Sequence, residues 1–142
     1  NTIKHEKGVI AMARSDYSSI DPSLLEEGYN SAGSQFFIMT EDNDSLDGLY
    51  TPFGKVTEGM DVVEKIENVE VTYRSSELES GEEAPKDEDG NELTADMPLE
   101  PPVITSLTVE TYGVDYGIPE THDVFDYYTW MMQQYYGSSY TS

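Results

Sequence analysis

The 142-residue chain contains no cysteine. That removes disulfide frameworks, thiol nucleophiles and Cys-ligated zinc, and leaves the redox compartment unmarked. Positive charge is scarce: 7 Lys and Arg stand against 29 Asp and Glu, a formal net charge of −22. Such a surface repels nucleic-acid phosphates and anionic lipid headgroups, so no nucleic-acid partner is expected and polypeptides fit better. No apolar run approaches the roughly 20 residues of a membrane-spanning helix, so no membrane span is expected. The opening Asn1-Thr2-Ile3-Lys4-His5 is polar and unlike a secretory leader. It begins on Asn rather than Met, and a further segment upstream is expected. Cytoplasmic and extracytoplasmic placements both stay open. Arginine occurs only as Arg14 and Arg74, and no Gly-Gly dipeptide occurs anywhere.

What remains suits a single domain able to bury a core. Gly8-Val9-Ile10-Ala11-Met12-Ala13 is a short apolar run that reads as a buried strand. Asp21-Pro22-Ser23-Leu24-Leu25-Glu26-Glu27-Gly28 supplies an N-cap residue, Pro at the first helical position and a closing Gly, and so predicts a short helix. Ser34 to Thr40 reads as a second strand, with Gln35, Phe37 and Met39 on one face and Phe36 and Ile38 on the other. Leu49 to Val56 gives a third, where Pro52 demands an edge or an irregular pairing. Met60, Val63 and Ile66 recur at helical spacing and predict an amphipathic helix packed on the sheet. The β-branched, alternating run Pro102 to Thr111 is the strongest strand pattern in the chain.

Two regions look peripheral. Glu77 to Glu100 holds ten acidic residues and one lysine with almost no large apolar side chain, which predicts a solvated, mobile loop. The tail from Thr121 places Val124, Tyr127, Tyr128, Met131 and Tyr135 on one helical face, with Asp123 as N-cap and Gly137 as stop. Gly137 to Ser142 is small and polar, and fraying is expected there.

Read in order, the chain presents His5, then Gly8-Val9-Ile10-Ala11-Met12-Ala13-Arg14, then Asn30-Ser31-Ala32-Gly33-Ser34-Gln35-Phe36-Phe37-Ile38. Leu46-Asp47-Gly48-Leu49-Tyr50, Phe53-Gly54-Lys55-Val56 and Gly59-Met60-Asp61-Val62-Val63 follow. This succession resembles the C-terminal half of cyclophilin-type peptidyl-prolyl cis-trans isomerases of bacterial kind, over about residues 3 to 72 and 101 to 119. The resemblance implies a mainly β fold, a closed antiparallel β-barrel with a capping helix, whose N-terminal strands are absent from this chain. Residues 1–119 would form that part of the domain, with an acidic insertion at about 73–100, and 120–142 a Tyr-rich tail with a short helix. It further implies that Phe37, Leu46 and Tyr50 line a pocket for the substrate proline ring and that Gln35 bonds the substrate backbone. Met12, Ala13, Arg14 and Ser15 would form the strand end and rim along which the peptide lies. Tyr50 departs from the histidine often found at its position but keeps an aromatic wall with a polar tip.

The family's catalytic arginine belongs to an N-terminal segment with no counterpart here, and neither Arg14 nor Arg74 stands in a matching context. The resemblance therefore implies proline-containing polypeptides as substrates, cyclosporin-like macrocycles as further ligands, no cofactor, and an upstream fragment completing the barrel. This chain alone is expected to lack isomerase activity. A non-catalytic proline-peptide binding module is the rival reading, and a purely structural half a third.

The bland alternatives are clear. Phe37 and Leu46 taken alone read as core, and Arg14 as a rim or ion-pair residue. Asp42, Asp44 and Asp47 have Leu46 where a calcium loop needs a ligand, so the solvated-loop reading wins and no metal site is expected. His5 and His122 lack companions for a zinc site or triad, and His5 reads as a satisfied structural residue. The long connection Asp16 to Tyr29 should emerge beside the groove, where Leu24, Leu25 and Tyr29 would cover one end of it. The acidic run Glu77 to Glu100 would attract basic unfolded chains.

Overall fold

The computed structural model describes residues 2–137. The expected frayed end falls mainly on 138–142, outside the described residues. Two compact units divide the chain: Asn1–Lys55 with Asp115–Ser142, and Val56–Val114.

The first unit is built on a three-stranded antiparallel sheet of β1 (Val9–Met12), β2 (Phe36–Ile38) and β3 (Thr51–Lys55), in the order β2-β1-β3. β1 is central because its alternate residues Val9 and Ala11 are apolar and small enough to vanish from solvent, at 3% and 0% exposure. Ala11 pairs with Phe37, which places Phe37 on the buried face of the sheet. The β1–β2 ladder runs beyond the regular strand, from Gly8 N donating to Met39 O at 2.7 Å to Ala13 N donating to Gln35 O at 3.0 Å. Met39, Leu24 and His5 are the other large side chains buried here, and Pro52 is buried as well. On the other side the β1–β3 register jumps between Ile10 and Ala11, pairing Ile10 with Gly54 and Ala11 with Pro52. Pro52 has no N–H to give a ladder, so β3 accepts it at the sheet edge beside a bulge, as its position predicts.

Among the described residues no barrel closes. A barrel whose side chains fill its interior needs about eight strands, and three leave the sheet open. The described residues thus contribute a small open sheet with helices rather than the closed barrel that the resemblance implies for a complete domain.

Asp21 caps the predicted helix by accepting from Ser23 N at 2.8 Å, after which a 3-10 turn over Pro22–Leu24 runs into α1 (Leu25–Tyr29). Gly28 was expected to close this helix, but it lies inside it and is buried. A Cβ there would come 3.1 Å from Ser15 O, so glycine fits a close approach that a side chain would have to force open, and the helix stops at Asn30. In the tail, α3 (Tyr127–Tyr136) starts later than expected: Asp126, not Asp123, caps it, accepting from Thr129 N at 2.9 Å. Val124 therefore lies outside the helix and is exposed, and Tyr128 and Tyr135 are exposed too. The half-buried residues of the helix are Tyr127, Trp130, Met131, Met132 and Gln133. Gly137 stops the helix at φ 68°, as predicted.

The second unit carries α2 (Met60–Glu67), entered through Gly59 at φ 83° and braced by Lys65 on Asp61 at 3.0 Å. The acidic run is more ordered than a bare loop. Isolated bridges pair Val71 with Pro98 and Lys86 with Glu92, and the Asp87 carboxylate accepts from the main chain of Asp89 and Asn91. The expected strand at Pro102 to Thr111 does not form. Val103, Ile104, Leu107 and Val109 are 70–83% exposed. Alternation expresses a preference for extended backbone, but a strand exists only against a hydrogen-bonding neighbour. No described segment lies alongside this one.

Candidate functional site

The expected groove residues come from the end of β1, from β2 and from the turn before β3. Arg14 follows β1 and turns its guanidinium inward: Nε donates to Leu49 O at 2.7 Å and Nη1 to Ser15 O at 2.9 Å. Its plane lies over the Tyr29 ring at 4.8 Å and the Tyr50 ring at 5.1 Å, a stacking that suits arginine and not lysine. The side chain is only 9% exposed. The structure thus places Arg14 as a largely enclosed bracket between two tyrosines, while it still lines a cavity with Ala13 and Ser15.

Tyr50 in turn meets Phe37 edge-on, with centroids 5.5 Å apart at 90°, the favoured geometry for two quadrupoles. Phe37 is half-buried rather than sealed. Leu46 is half-buried and ends a 3-10 turn, Asp44–Leu46, whose carbonyl accepts from Leu49 N at 3.1 Å and Tyr50 N at 3.3 Å. These bonds fix the turn that presents Tyr50. Met12 is half-buried in the sheet, paired with Phe36 and Thr51. Ala13, Arg14, Ser15 and Gln35 line one cavity of about 280 Å³ together with Ser31, Gly33 and Ser34. Rim and strand residues are therefore brought together, with the Phe37–Tyr50 pair joined to them through Arg14 and through the strand that carries Gln35.

Two features escaped the sequence. Ser31 clamps the loop to β1, accepting from Ser15 N at 2.7 Å and donating to Gly28 O at 2.7 Å. The Asn30-Ser31-Ala32-Gly33 turn was visible as a motif, but not its partner sixteen residues away. His5, 2% exposed, lies nearly parallel to Phe37, centroids 6.3 Å apart and planes at 14°. Its Nδ1 stands 2.9 Å from Asp47 Oδ1. An ionised carboxylate can only accept, so Nδ1 carries the proton and donates. Lys4 Nζ donates to the other oxygen at 2.8 Å. The Asp47 carboxyl is held well below the usual carboxylate range, first by Lys4 and then by the ring and main chain of His5. Buried Nε2 has no partner among the described residues, so His5 is only half satisfied. Asp47 is thus occupied as a latch. Asp42 accepts from Lys7 N at 2.8 Å.

Leu24 does not cover the groove as expected; it is 5% exposed and part of the core. Tyr29 does stand beside the rim, through Arg14. Among the described residues no group of three His, Asp or Glu converges as metal ligands.

The model of the family described as cyclophilin type peptidyl-prolyl cis-trans isomerase/CLD matches residues 1–107. A probable peptidyl-prolyl cis-trans isomerase of Brucella abortus is 43% identical over 75 residues, covering 53% of this chain and 30% of the relative. The mouse peptidyl-prolyl cis-trans isomerase-like 4 is 56% identical over 45 residues, 31% of this chain and 9% of that protein. Its human counterpart is 53% identical over the same length. The chain therefore spans less than a third of the length of these curated relatives. No solved structure matches. A family match over residues 1–107, most of the chain, makes it a member of the cyclophilin-type peptidyl-prolyl cis-trans isomerase family.

Proposed function

We propose that this chain supplies part of the proline-binding groove of a peptidyl-prolyl isomerase acting on X-Pro bonds in protein substrates. The observation that carries this reading is the edge-on Phe37–Tyr50 pair, whose Tyr50 ring carries Arg14, a residue that lines a cavity with Ala13, Ser15 and Gln35. Rotation about an X-Pro bond faces a barrier of roughly 18–20 kcal/mol because amide resonance must be broken. No covalent bond is made or cleaved, so the task is one of binding the twisted amide better than the planar one. Phe37, Leu46 and Tyr50 form the apolar wall for the pyrrolidine ring, and the Gln35 amide aligns the flanking backbone. The wall also sheds water from the amide, which strengthens any hydrogen bond made there.

The donor to the twisting amide comes from outside these residues. Arg14 is committed to Leu49 O, Ser15 O and two rings. That commitment favours, for this chain alone, binding without turnover. In the complete protein an upstream segment brings the donor arginine, the missing strands and the closure of the barrel with its capping helix. Cyclosporin-like macrocycles would occupy the same groove.

The test is a titration of the isotope-labelled chain with an Ala-Ala-Pro-Phe peptide, read by amide shifts, alongside an isomerisation assay. Shifts centred on Gln35, Phe37 and Tyr50 with no catalysis, and catalysis restored by the upstream segment, are expected. A saturable complex that leaves those three residues unmoved would refute the reading.

A further inference from the structure

A larger cleft of about 600 Å³ adjoins the groove, and Ser15, Ser31 and Gly33 line both. This volume lies inside the range of about 300–1,000 Å³ usual for ligand clefts. One wall is the Asp16 to Tyr29 connection, through Tyr17, Glu26 and Glu27; the other is the tail from Thr121 to Phe125. The tail wall lies beyond the residues matched by the family. An aromatic cluster holds the two walls together. Tyr17 stacks on Tyr127 with centroids 5.3 Å apart and planes at 7°, and meets Phe125 edge-on at 5.4 Å.

The chemistry of the cleft is one-sided. Glu26, Glu27 and Asp123 line it with no Lys or Arg among its lining residues. No ion pair engages any of these three among the described residues. Tyr17 and Phe125 add apolar surface beside the charge. A side chain with an apolar stem and a cationic head matches that combination: the stem lies on the rings and the head meets the carboxylates. Because the cleft opens into the groove through three shared residues, one polypeptide can occupy both.

We infer that this cleft is a specificity subsite for a lysine or arginine of the same polypeptide whose prolyl residue enters the groove. The inference rests on the proline-groove reading and adds to it a preference for basic flanking sequence. The insertion and the tail confer that preference together.

The test uses the labelled 142-residue chain and prolyl peptides carrying one lysine at successive positions on either side of the proline. Each is paired with a norleucine twin of the same length. In one register the lysine peptide should bind about threefold to tenfold tighter than its twin at low salt, shifting Tyr17, Glu26 and Glu27. The E26Q/E27Q/D123N variant should abolish that advantage and leave norleucine binding unchanged, and high salt should shrink it. Equal affinities for lysine and norleucine twins, with Gln35 and Phe37 still shifted, would overturn the subsite and leave the groove standing. An advantage that survives E26Q/E27Q/D123N assigns the preference to acids outside the cleft and likewise overturns it. A lysine peptide lacking proline that binds as tightly through the cleft would overturn both, because the subsite is defined by a prolyl residue seated beside it. Silence from every peptide would overturn both.

Discussion

His5 and Asp47 form a two-point latch: the carboxylate oxygen Oδ1 accepts from the His5 ring at 2.9 Å and from its main-chain N–H at 3.0 Å. Lys4 takes the other oxygen. The latch ties the first residues of the chain to the turn bearing Leu46, and sets the His5 ring against Phe37. Its carboxyl is depressed in the folded state, so over the acid range the unfolded chain binds more protons. Its contribution is fully present above the unfolded value of about 4 and is lost as pH falls below it toward the depressed folded value. Melting temperatures measured across the acid range should therefore rise with pH, and Asp47→Asn should flatten the slope. The slope will not vanish, because Asp21, Asp87, Asp96 and Asp126 are depressed as well. An unchanged slope in the variant would remove the latch from the account.

Gly28→Ala should reverse the usual rule. Alanine ordinarily favours an α-helix over glycine by about 1 kcal/mol. Here the new Cβ would stand 3.1 Å from Ser15 O, and that carbonyl cannot retreat. Arg14 Nη1 donates to it at 2.9 Å, and Ser31 holds the Ser15 N–H at 2.7 Å. A destabilisation of about 1–3 kcal/mol is expected from overpacking, measured by denaturant unfolding. A gain in stability would show that the loop gives way.

Arg14→Lys keeps the charge and loses the bracket. One ammonium cannot donate in two directions from a flat face while stacking between Tyr29 and Tyr50. A loss of about 1–3 kcal/mol is expected, with Tyr50 ring resonances moving and prolyl-peptide affinity falling. Wild-type stability in the lysine variant would mean that the stacked geometry contributes little.

Tyr17→Ala should release the tail from the insertion. The Tyr17–Tyr127 stack continues to Trp130 at 5.9 Å, and aromatic pairs contribute about 0.5–1.5 kcal/mol beyond their buried area. Trp130 is the chain's only tryptophan, so its emission reports the change directly. A red shift and faster proteolysis within 121–126 are expected, with Asp126→Ala, which breaks the α3 cap, as a milder comparison. Emission identical to wild type would count against the clamp.

Local chemistry was legible wherever short-range rules decide the outcome. The apolar run from Gly8 to Ala13 announced a buried strand, Pro52 the irregular edge, Asp21 the cap and Gly137 the stop. Partnership was not legible. Asp123 and Asp126 offer equal capping chemistry, and the packing of Tyr127 on Tyr17 selects the later start. Gly28 looks like a terminator until Ser15 is seen against it. The latch joins residues 42 apart, and its sign in sequence was two isolated polar residues. The enclosure of Arg14 was not legible either, because nothing local says that two tyrosines will stack on it. Pro102 to Thr111 failed for the complementary reason: its own pattern was strong, and the neighbour it needs is not among the described residues.

That same stretch has a practical outcome. A ribbon of bare valine, isoleucine and leucine, with its amides unengaged, invites cross-chain zippering as molecules crowd together. The flanking carboxylates repel like copies at first approach, and added electrolyte weakens that repulsion. Colloidal behaviour should then run opposite to that of ordinary acidic proteins: brine, rather than dilution, is what brings this polypeptide out of solution.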